Sequence, residues 1–142
     1  MDLKQIYSSI IMEHSNNSEH KHELEHATHN ERGHNPSCGD DIQLHLNIDG
    51  DIIKEAAFTG HGCAISQAST SLLCELIEGK TIEEARLACQ KFIGMITGDE
   101  DDMDELEDIL GDAVALQNIS VMPQRVKCAV LAWHTLSDML EK

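Results

Sequence analysis

The chain has 142 residues, and its 26 acidic residues against 10 Lys and Arg residues give a formal net charge of −16 with histidine neutral. This length predicts a single domain. Leu, Ile, Val and Phe supply 34 of the residues, above the ~20% below which chains tend to stay disordered, so a core can form. The acidity and the scarcity of aromatic residues exclude nucleic-acid binding, since phosphates require cations and base stacking requires exposed rings.

Cysteine content and hydropathy indicate the cellular setting. No apolar run approaches the ~18 residues that span a bilayer, and the N-terminus has no secretory signal pattern. We therefore expect a cytoplasmic protein without membrane contact. Five cysteines are scattered along the chain, at Cys38, Cys63, Cys74, Cys89 and Cys128. An odd number in a chain of this kind favours metal binding or thiol chemistry over a disulfide framework.

The N-terminal third divides into a helix and a polar segment. Apolar residues at helical spacing over residues 3–12 predict a short amphipathic helix. Residues 14–34 then contain six of the nine histidines among Ser, Asn and Glu. This composition has too little apolar content to pack, so we predict a flexible, histidine-rich segment.

A β-hairpin is predicted next. Apolar and polar residues alternate over residues 42–48, with Gln43, His45 and Asn47 on the polar face. Asp49-Gly50 predicts a type I′ turn, and residues 52–58 return as the paired antiparallel strand. We expect the glycine-rich residues 59–62 to break this strand.

Three further helices are predicted after the hairpin, from apolar residues that recur every three or four positions. The first begins after Cys63 and ends at Gly79. The second begins at Thr81, where Glu84 three residues later completes a capping box. The last begins at about Pro123, a residue suited to a first helical turn. The fold class is therefore α+β, a small antiparallel sheet with helices packed on it.

Residues 99–112 lie between the last two of these helices and contain nine acidic residues interleaved with Met, Leu and Ile. This pattern is compatible with a short acidic helix and with a solvated excursion.

Three cysteines lie at positions suited to chemistry. Cys38-Gly39-Asp40 places two potential metal ligands on either side of a glycine, whose backbone freedom can bring both onto one ion. Cys63 is at a helix N-terminus, which favours the thiolate form. If these residues converge with Cys128 near the start of the last helix, they form an S3O site of the kind that zinc prefers.

Spacing alone leaves other interpretations open. The nearby cations Arg125 and Lys127 would offset the negative charge of such a site, or they are ordinary helix-surface charges. The three thiols themselves are compatible with an inert structural role. Cys74 and Cys89 lie on or beside apolar helix faces and are predicted as core residues. His61 is interpreted as a turn residue.

Three motifs then resemble a known family. They are residues 35–40 (NPSCGD), residues 60–66 (GHGCAIS) and residues 123–133 (PQRVKCAVLAW). In this order they resemble the SufU branch of the IscU/NifU-like iron–sulfur assembly proteins. The 65-residue interval from Cys63 to Cys128, the acidic stretch within it and Lys127, where scaffold members carry histidine, are typical of that branch.

The resemblance implies a fold and a site. The fold would be the SufE/NifU (IscU-like) fold, with a three-stranded antiparallel sheet in one domain over residues 1–142. The ligands of a Zn²⁺ ion would be Cys38, Asp40, Cys63 and Cys128. Cys38 would also be the sulfur-accepting residue, with Arg125 as a basic residue of the reactive site.

The resemblance also implies an activity. The protein would be a zinc-dependent sulfurtransferase that accepts persulfide sulfur from a SufS-type, pyridoxal-phosphate-dependent cysteine desulfurase. The sulfur would pass to downstream Suf cluster-assembly proteins. One alternative is a scaffold on which an iron–sulfur cluster is assembled on the same cysteines and transferred. Another is a small acidic adaptor in which zinc is only structural.

Overall fold

A computed structural model describes residues 3–16 and 18–141 of the chain. Asn17, within the histidine-rich segment, and the side chain of Leu3 lie outside the described residues. Over the described part, the elements run in the order α1 (Leu3–Asn16), β1 (His29–Asn35), β2 (Asp40–Asp49), β3 (Ile52–His61), α2 (Ala64–Ile77), α3 (Ile82–Thr97), α4 (Met103–Leu110), a 3-10 helix (Gly111–Val121) and α5 (Pro123–Glu141).

The sheet and the helices form the predicted α+β architecture. The sheet has three antiparallel strands in the order β1-β2-β3, which confirms the expected three-stranded sheet. The alternation in β2 buries Ile42, Leu44 and Leu46. Helix α5 contacts β1 and β2, and α2 contacts β3, while α1 lies on α2 and α3 lies on α5. Residues that the sequence separates widely thereby meet around α2 and α5.

Buried contacts of Trp133 connect α5 to α3 and to α2. The rings of Phe92 and Trp133 stack with centroids 3.9 Å apart and planes 7° from parallel. The indole Nε1 of Trp133 donates to Ser69 Oγ at 2.8 Å, and Ser69 Oγ donates to the carbonyl of Ala129 at 2.5 Å. Because a buried indole N–H needs an acceptor, the hydroxyl of Ser69 satisfies Trp133 and links the two helices.

The predicted helix ends are present. The Thr81 hydroxyl accepts from the Glu84 amide and the Glu84 carboxylate accepts from the Thr81 amide, both at 3.0 Å, which is the expected capping box. An N-cap of this kind stabilises a helix by about 1 kcal/mol. Of the two readings of residues 99–112, the helix is correct over α4, because Leu106 and Leu110 are buried on one of its faces.

The residue pattern did not locate strand β1, which covers the last part of the histidine-rich segment and ends at Asn35. Its sequence HNERGHN has no apolar alternation, so it depends on backbone pairing with β2 and on contact with α5. The segment also meets β3, since the Phe58 amide donates to the carbonyl of His20 at 2.9 Å. The mobility expected for residues 14–34 stays a prediction.

Two details of the hairpin differ from expectation. Asp49 pairs with Ile52, so the central turn residues are Gly50 and Asp51. Gly50 has φ 65°, but no described non-glycine residue has positive φ, so the type I′ prediction is wrong, since that turn needs two positive φ values. Strand β3 also continues to His61. The predicted break is wrong because Gly60, which has no Cβ, can lie against the backbone of Asp41.

The 3-10 helix Gly111–Val121 was also missed. Its buried residues are Ala113, Val114, Ala115, Leu116 and Ile119. These lie close together in sequence and follow neither the 3.6-residue nor the 2-residue period used to find helices and strands. Among the described residues, no helix is both long enough and apolar enough to cross a membrane.

His45 is buried, although the alternation of β2 placed it on the polar face. It is 7% exposed. Its ring nitrogens contact Asn30 Oδ1 at 2.5 Å and Thr59 Oγ1 at 2.9 Å, so the imidazole joins β1 to β3 across β2. Burial lowers the pKa of His45, because removal from water disfavours the imidazolium form.

We predict that the contribution of His45 to stability depends on pH. The unfolded chain binds this proton more tightly than the folded chain, so the contribution is present above the ordinary pKa of about 6.5 and is lost as pH falls below it. Urea unfolding of wild type and His45→Gln at about pH 7.5 and about pH 5.5 should show a difference in stability that shrinks at the lower pH. His134→Gln, on the exposed face of α5, is the control. A difference that is equal at both pH values would contradict the prediction.

Candidate metal centre

The loop between β1 and β2 presents Cys38 and Asp40. The Cys38 amide donates to the carbonyl of Asn35 at 3.2 Å, which closes a turn. Gly39 then adopts φ 70°, a conformation that an L-residue rarely takes. The glycine between the two side chains therefore has the role expected from the sequence. Cys38 is half-buried, whereas Asp40, the first residue of β2, is fully buried.

The carboxylate of Asp40 has one satisfied and one unsatisfied oxygen. Oδ1 accepts from the Cys63 amide at 2.8 Å. Oδ2 is buried and has no hydrogen-bond partner among the described residues. An isolated carboxylate oxygen in the interior is costly unless a cation or a donor meets it. The free oxygen of Asp40 thus fits a metal ligand.

Cys63 is the N-cap of α2. Its Sγ accepts from the Ser66 amide at 3.5 Å, so the thiol lies directly at the start of the helix. The preceding residue must be glycine for a steric reason. A Cβ on Gly62 would lie 2.6 Å from Asp40 Oδ1, so the β3–α2 connection approaches the carboxylate as closely as a main chain can.

Cys128 comes from the other end of the sequence and completes a cluster. It lies near the start of α5 and is 1% exposed. The ligand atoms of Cys38, Asp40 and Cys128 all lie within 4.8 Å of one another. The Cys63 thiol is not a member of this set of described residues, although its amide binds Asp40. The fold therefore brings three of the four predicted ligands together and holds the fourth beside them.

The thiols and the carboxylate of the cluster lie so close together that a positive charge would stabilise their ionised forms. Burial raises the pKa of the Cys128 thiol, and the neighbouring thiols of Cys38 and Cys63 and the carboxylate of Asp40 raise it further. Arg125 is exposed and next to these groups, and its pKa is raised by a hydrogen bond with Cys128 and by the thiolate charges. Three thiols and a carboxylate form the donor set of a soft or borderline divalent ion such as zinc.

Asn35 is a site residue to which the sequence analysis gave no role. It is 8% exposed. Its Oδ1 accepts from the Ser37 amide at 3.2 Å, which directs Nδ2 towards Cys38 Sγ at 3.5 Å. The Asn-Pro pair was the available signal, because Asn side chains often bind the backbone two residues later and so open a turn.

The remaining candidates lie elsewhere or on the surface. Cys74 and Cys89 are buried in the core, as predicted, and burial raises the pKa of Cys89 to about 12. A thiol with such a pKa is unreactive near neutral pH. Lys127 and His61 are exposed, and His61 is the last residue of β3 rather than part of a turn.

Comparison with known proteins gives close relatives over the whole chain. The chain is 40% identical over 141 residues, 99% of its length and 93% of the relative's, to a protein of Bacillus subtilis named zinc-dependent sulfurtransferase SufU. It is 38% identical over 142 residues, 100% of its length and 97% of the relative's, to a protein of Thermotoga maritima named iron–sulfur cluster assembly scaffold protein IscU.

A solved structure has the same fold. It is the crystal structure of a putative iron–sulfur cluster assembly scaffold protein for the SUF system from Fervidobacterium islandicum, 40% identical with a TM-score of 0.87, covering 98% of this chain and 99% of that one. This confirms the expected SufU/NifU-like fold. The family model for the NifU-like N terminal domain matches residues 6–141. The chain therefore belongs to the NifU-like N-terminal domain family of iron–sulfur cluster assembly proteins, with relatives of the SufU and IscU kinds.

Proposed function

We propose that this protein is a zinc-dependent sulfurtransferase that accepts persulfide sulfur from a SufS-type cysteine desulfurase for iron–sulfur cluster assembly. The observation that carries the proposal is the position of Cys38. Its thiol is on a half-buried turn, within 4.8 Å of two buried groups, Asp40 and Cys128. A partner can reach this thiol while the groups behind it stay protected by the core.

Zn²⁺ would be held by Cys38, Asp40, Cys63 and Cys128. When bound, zinc supplies the positive charge that keeps coordinated thiols deprotonated. The unpartnered oxygen of Asp40 and the crowding of negative groups around Cys128 support this assignment. Asp40 contributes a hard oxygen ligand among soft sulfurs, which favours a site that can exchange one ligand.

Sulfur transfer is a thiolate exchange in which charge is conserved. The Cys38 thiolate attacks the terminal sulfur of the persulfide that the desulfurase holds on its own cysteine. A bond forms between Cys38 Sγ and that sulfur, and the persulfide S–S bond breaks with its electron pair leaving on the desulfurase thiolate. Cys38 then holds the persulfide, and no proton or external electron is needed.

Two neighbours orient and activate Cys38 for this step. Asn35 Nδ2 donates to Cys38 Sγ, which orients the sulfur on its turn. Arg125 is exposed among the three cysteines, so it offsets their negative charge and can meet the incoming persulfide anion. With a net charge of −16, the chain favours a partner with a basic docking face.

A scaffold function is the second candidate, in which an iron–sulfur cluster is assembled on the same cysteines and transferred. The name of the Thermotoga maritima relative, at 38% identity, favours it. Anaerobic reconstitution separates the two candidates, because a scaffold binds iron, becomes coloured and tolerates the removal of zinc. A scaffold should also hold its cluster more stably in the Asp40→Ala variant.

The principal test is desulfurase turnover with and without the zinc-loaded protein. We expect a large, zinc-dependent stimulation that falls to the basal rate in Cys38→Ala, because the attacking sulfur is missing. Cys89→Ala, which removes a core thiol far from the turn, is the matched control and should keep the stimulation. Circular dichroism and metal analysis of both variants exclude unfolding and loss of zinc as the cause.

Transfer of labelled sulfur locates the acceptor in the same experiment. A label mapped to Cys38 supports the proposal, whereas a label on Cys74 or Cys89 contradicts it. No stimulation by a folded, zinc-loaded sample would favour the scaffold. Loss of activity only in proportion to lost zinc would favour a structural adaptor.

Arg125→Gln should lower the transfer rate by no more than about fivefold, the size expected for an exposed ion pair. The loss should diminish in high salt, since screening weakens exposed charges. Stimulation assays over a range of ionic strength measure both effects. Lys127→Gln, two residues away and also exposed, is the matched control, and an equal loss in both variants would assign the effect to net charge rather than to Arg125.

Gly62→Ala should lower the affinity for Zn²⁺ by about 10- to 100-fold, the range for altered support of a metal ligand, because the added methyl group displaces Asp40. Competition with a chromophoric chelator measures the affinity. Gly50→Ala is the control, since Gly50 has φ 65° and open space around it, so it tests the cost of a strained alanine in the β2–β3 turn, away from both groups of potential ligands. Equal affinities for the two variants would refute the steric argument.

A further inference from the structure

A second group of metal-binding side chains lies away from the cysteines. His14 of α1, Glu75 of α2 and Asp112 of the 3-10 helix have ligand atoms that all lie within 4.8 Å of one another. They line a cavity of about 260 Å³. Glu75 is twelve residues along α2 from Cys63, which corresponds to about 18 Å of helix, so this group is distinct from the cysteine site.

Ser71 determines which nitrogen of His14 is available. Ser71 Oγ donates to Ser18 Oγ at 2.7 Å, so its lone pairs accept from His14 Nδ1 at 2.7 Å. A proton on Nδ1 leaves Nε2 of the neutral ring with a lone pair. A ligating histidine is commonly oriented in this way, by a hydrogen bond from its other nitrogen.

The free nitrogen faces a carboxylate. His14 Nε2 lies 3.1 Å from Glu75 Oε2, and the His14 side chain is 17% exposed. Two acceptors at this distance repel each other unless a positive charge lies between or beside them. That charge is either a proton on Nε2 or a cation shared by His14, Glu75 and Asp112.

The third ligand favours a metal ion over a proton, because a proton joins only two groups, whereas the ligand atoms of His14, Glu75 and Asp112 all lie within 4.8 Å of one another. Four carboxylates line the cavity, since Glu13 and Glu19 accompany Glu75 and Asp112, whereas none of the described lining residues is a Lys or Arg. The other lining histidine, His20, has its Nδ1 occupied by the carbonyl of Ala56 at 3.0 Å. A negative cleft of this kind concentrates divalent ions.

We propose that His14, Glu75 and Asp112 bind a divalent metal ion of the harder, borderline class, such as Mn²⁺ or Co²⁺. One imidazole and two carboxylates suit these ions, whereas the thiol-rich cluster suits zinc. The ion connects α1 to α2 and to the 3-10 helix, so it clamps the N-terminal helix onto the body of the domain. This site depends on none of the sulfur-transfer chemistry, and it stands or falls independently of it.

The test is titration of the full-length, zinc-loaded protein with Mn²⁺, followed by the electron paramagnetic resonance signal of the free ion. We expect saturation at one tightly bound ion per chain. Glu75→Gln and Asp112→Asn remove one ligand charge each from exposed positions, so both should fold and bind Mn²⁺ at least about tenfold more weakly. The matched controls Glu83→Gln and Asp138→Asn, also exposed, should bind like wild type.

A second readout locates the ion. Bound Mn²⁺ should broaden the imidazole NMR signals of His14 and leave those of His134 unchanged. Three outcomes would overturn the proposal. The first is an affinity of Glu75→Gln for Mn²⁺ equal to that of Glu83→Gln, which indicates a diffuse counter-ion atmosphere. The second is the lack of saturable binding, which indicates that a proton joins His14 to Glu75. The third is broadening that omits the imidazole signals of His14.

Discussion

The hydrogen bond from the Cys63 amide to Asp40 Oδ1 fixes the positions of the chain segments around the cysteine cluster. It joins the first residue of β2 to the N-cap of α2 at 2.8 Å, and Gly62 permits that approach because it has no side chain. The bond satisfies one oxygen of a fully buried carboxylate and leaves the other without a partner. A buried carboxylate oxygen in this state is costly unless a donor or a cation meets it, so the fold itself presents Asp40 as a possible metal ligand.

The two groups of potential metal ligands among the described residues differ in donor chemistry, and their positions follow from the topology. The cysteine cluster lies where the β1–β2 loop meets the N-terminus of α2 and the second turn of α5, so its donors are thiols and one carboxylate. The group around His14 lies near the other end of α2 and consists of nitrogen and oxygen ligands. Because soft and hard ligands favour different ions, the two groups would differ in the metals they prefer.

The sequence predicts those features that depend on neighbours along the chain. The alternation of β2 and the Thr81–Glu84 capping box are local and were correct. Strand β1 is held by its partner strand, and the 3-10 helix by burial on several sides, so neither has a local signature. The meeting of Cys38 with Cys128, 90 residues away, followed from family resemblance rather than from spacing. The contacts of Asn35 and His14 require coordinates, since they depend on where hydrogen-bond donors point.

The link from Trp133 through Ser69 to Ala129 has a practical consequence. Trp133 is the one tryptophan of the chain, and its indole lies in the second turn after Cys128 on α5, stacked on Phe92 and bonded to α2. Indole emission depends on the polarity and hydrogen bonding of its surroundings. The tryptophan fluorescence of the protein therefore reports from one place, the contact between the helices α2 and α5. Ligand exchange or partner docking that shifts α5 against α2 can be followed optically without attaching a dye.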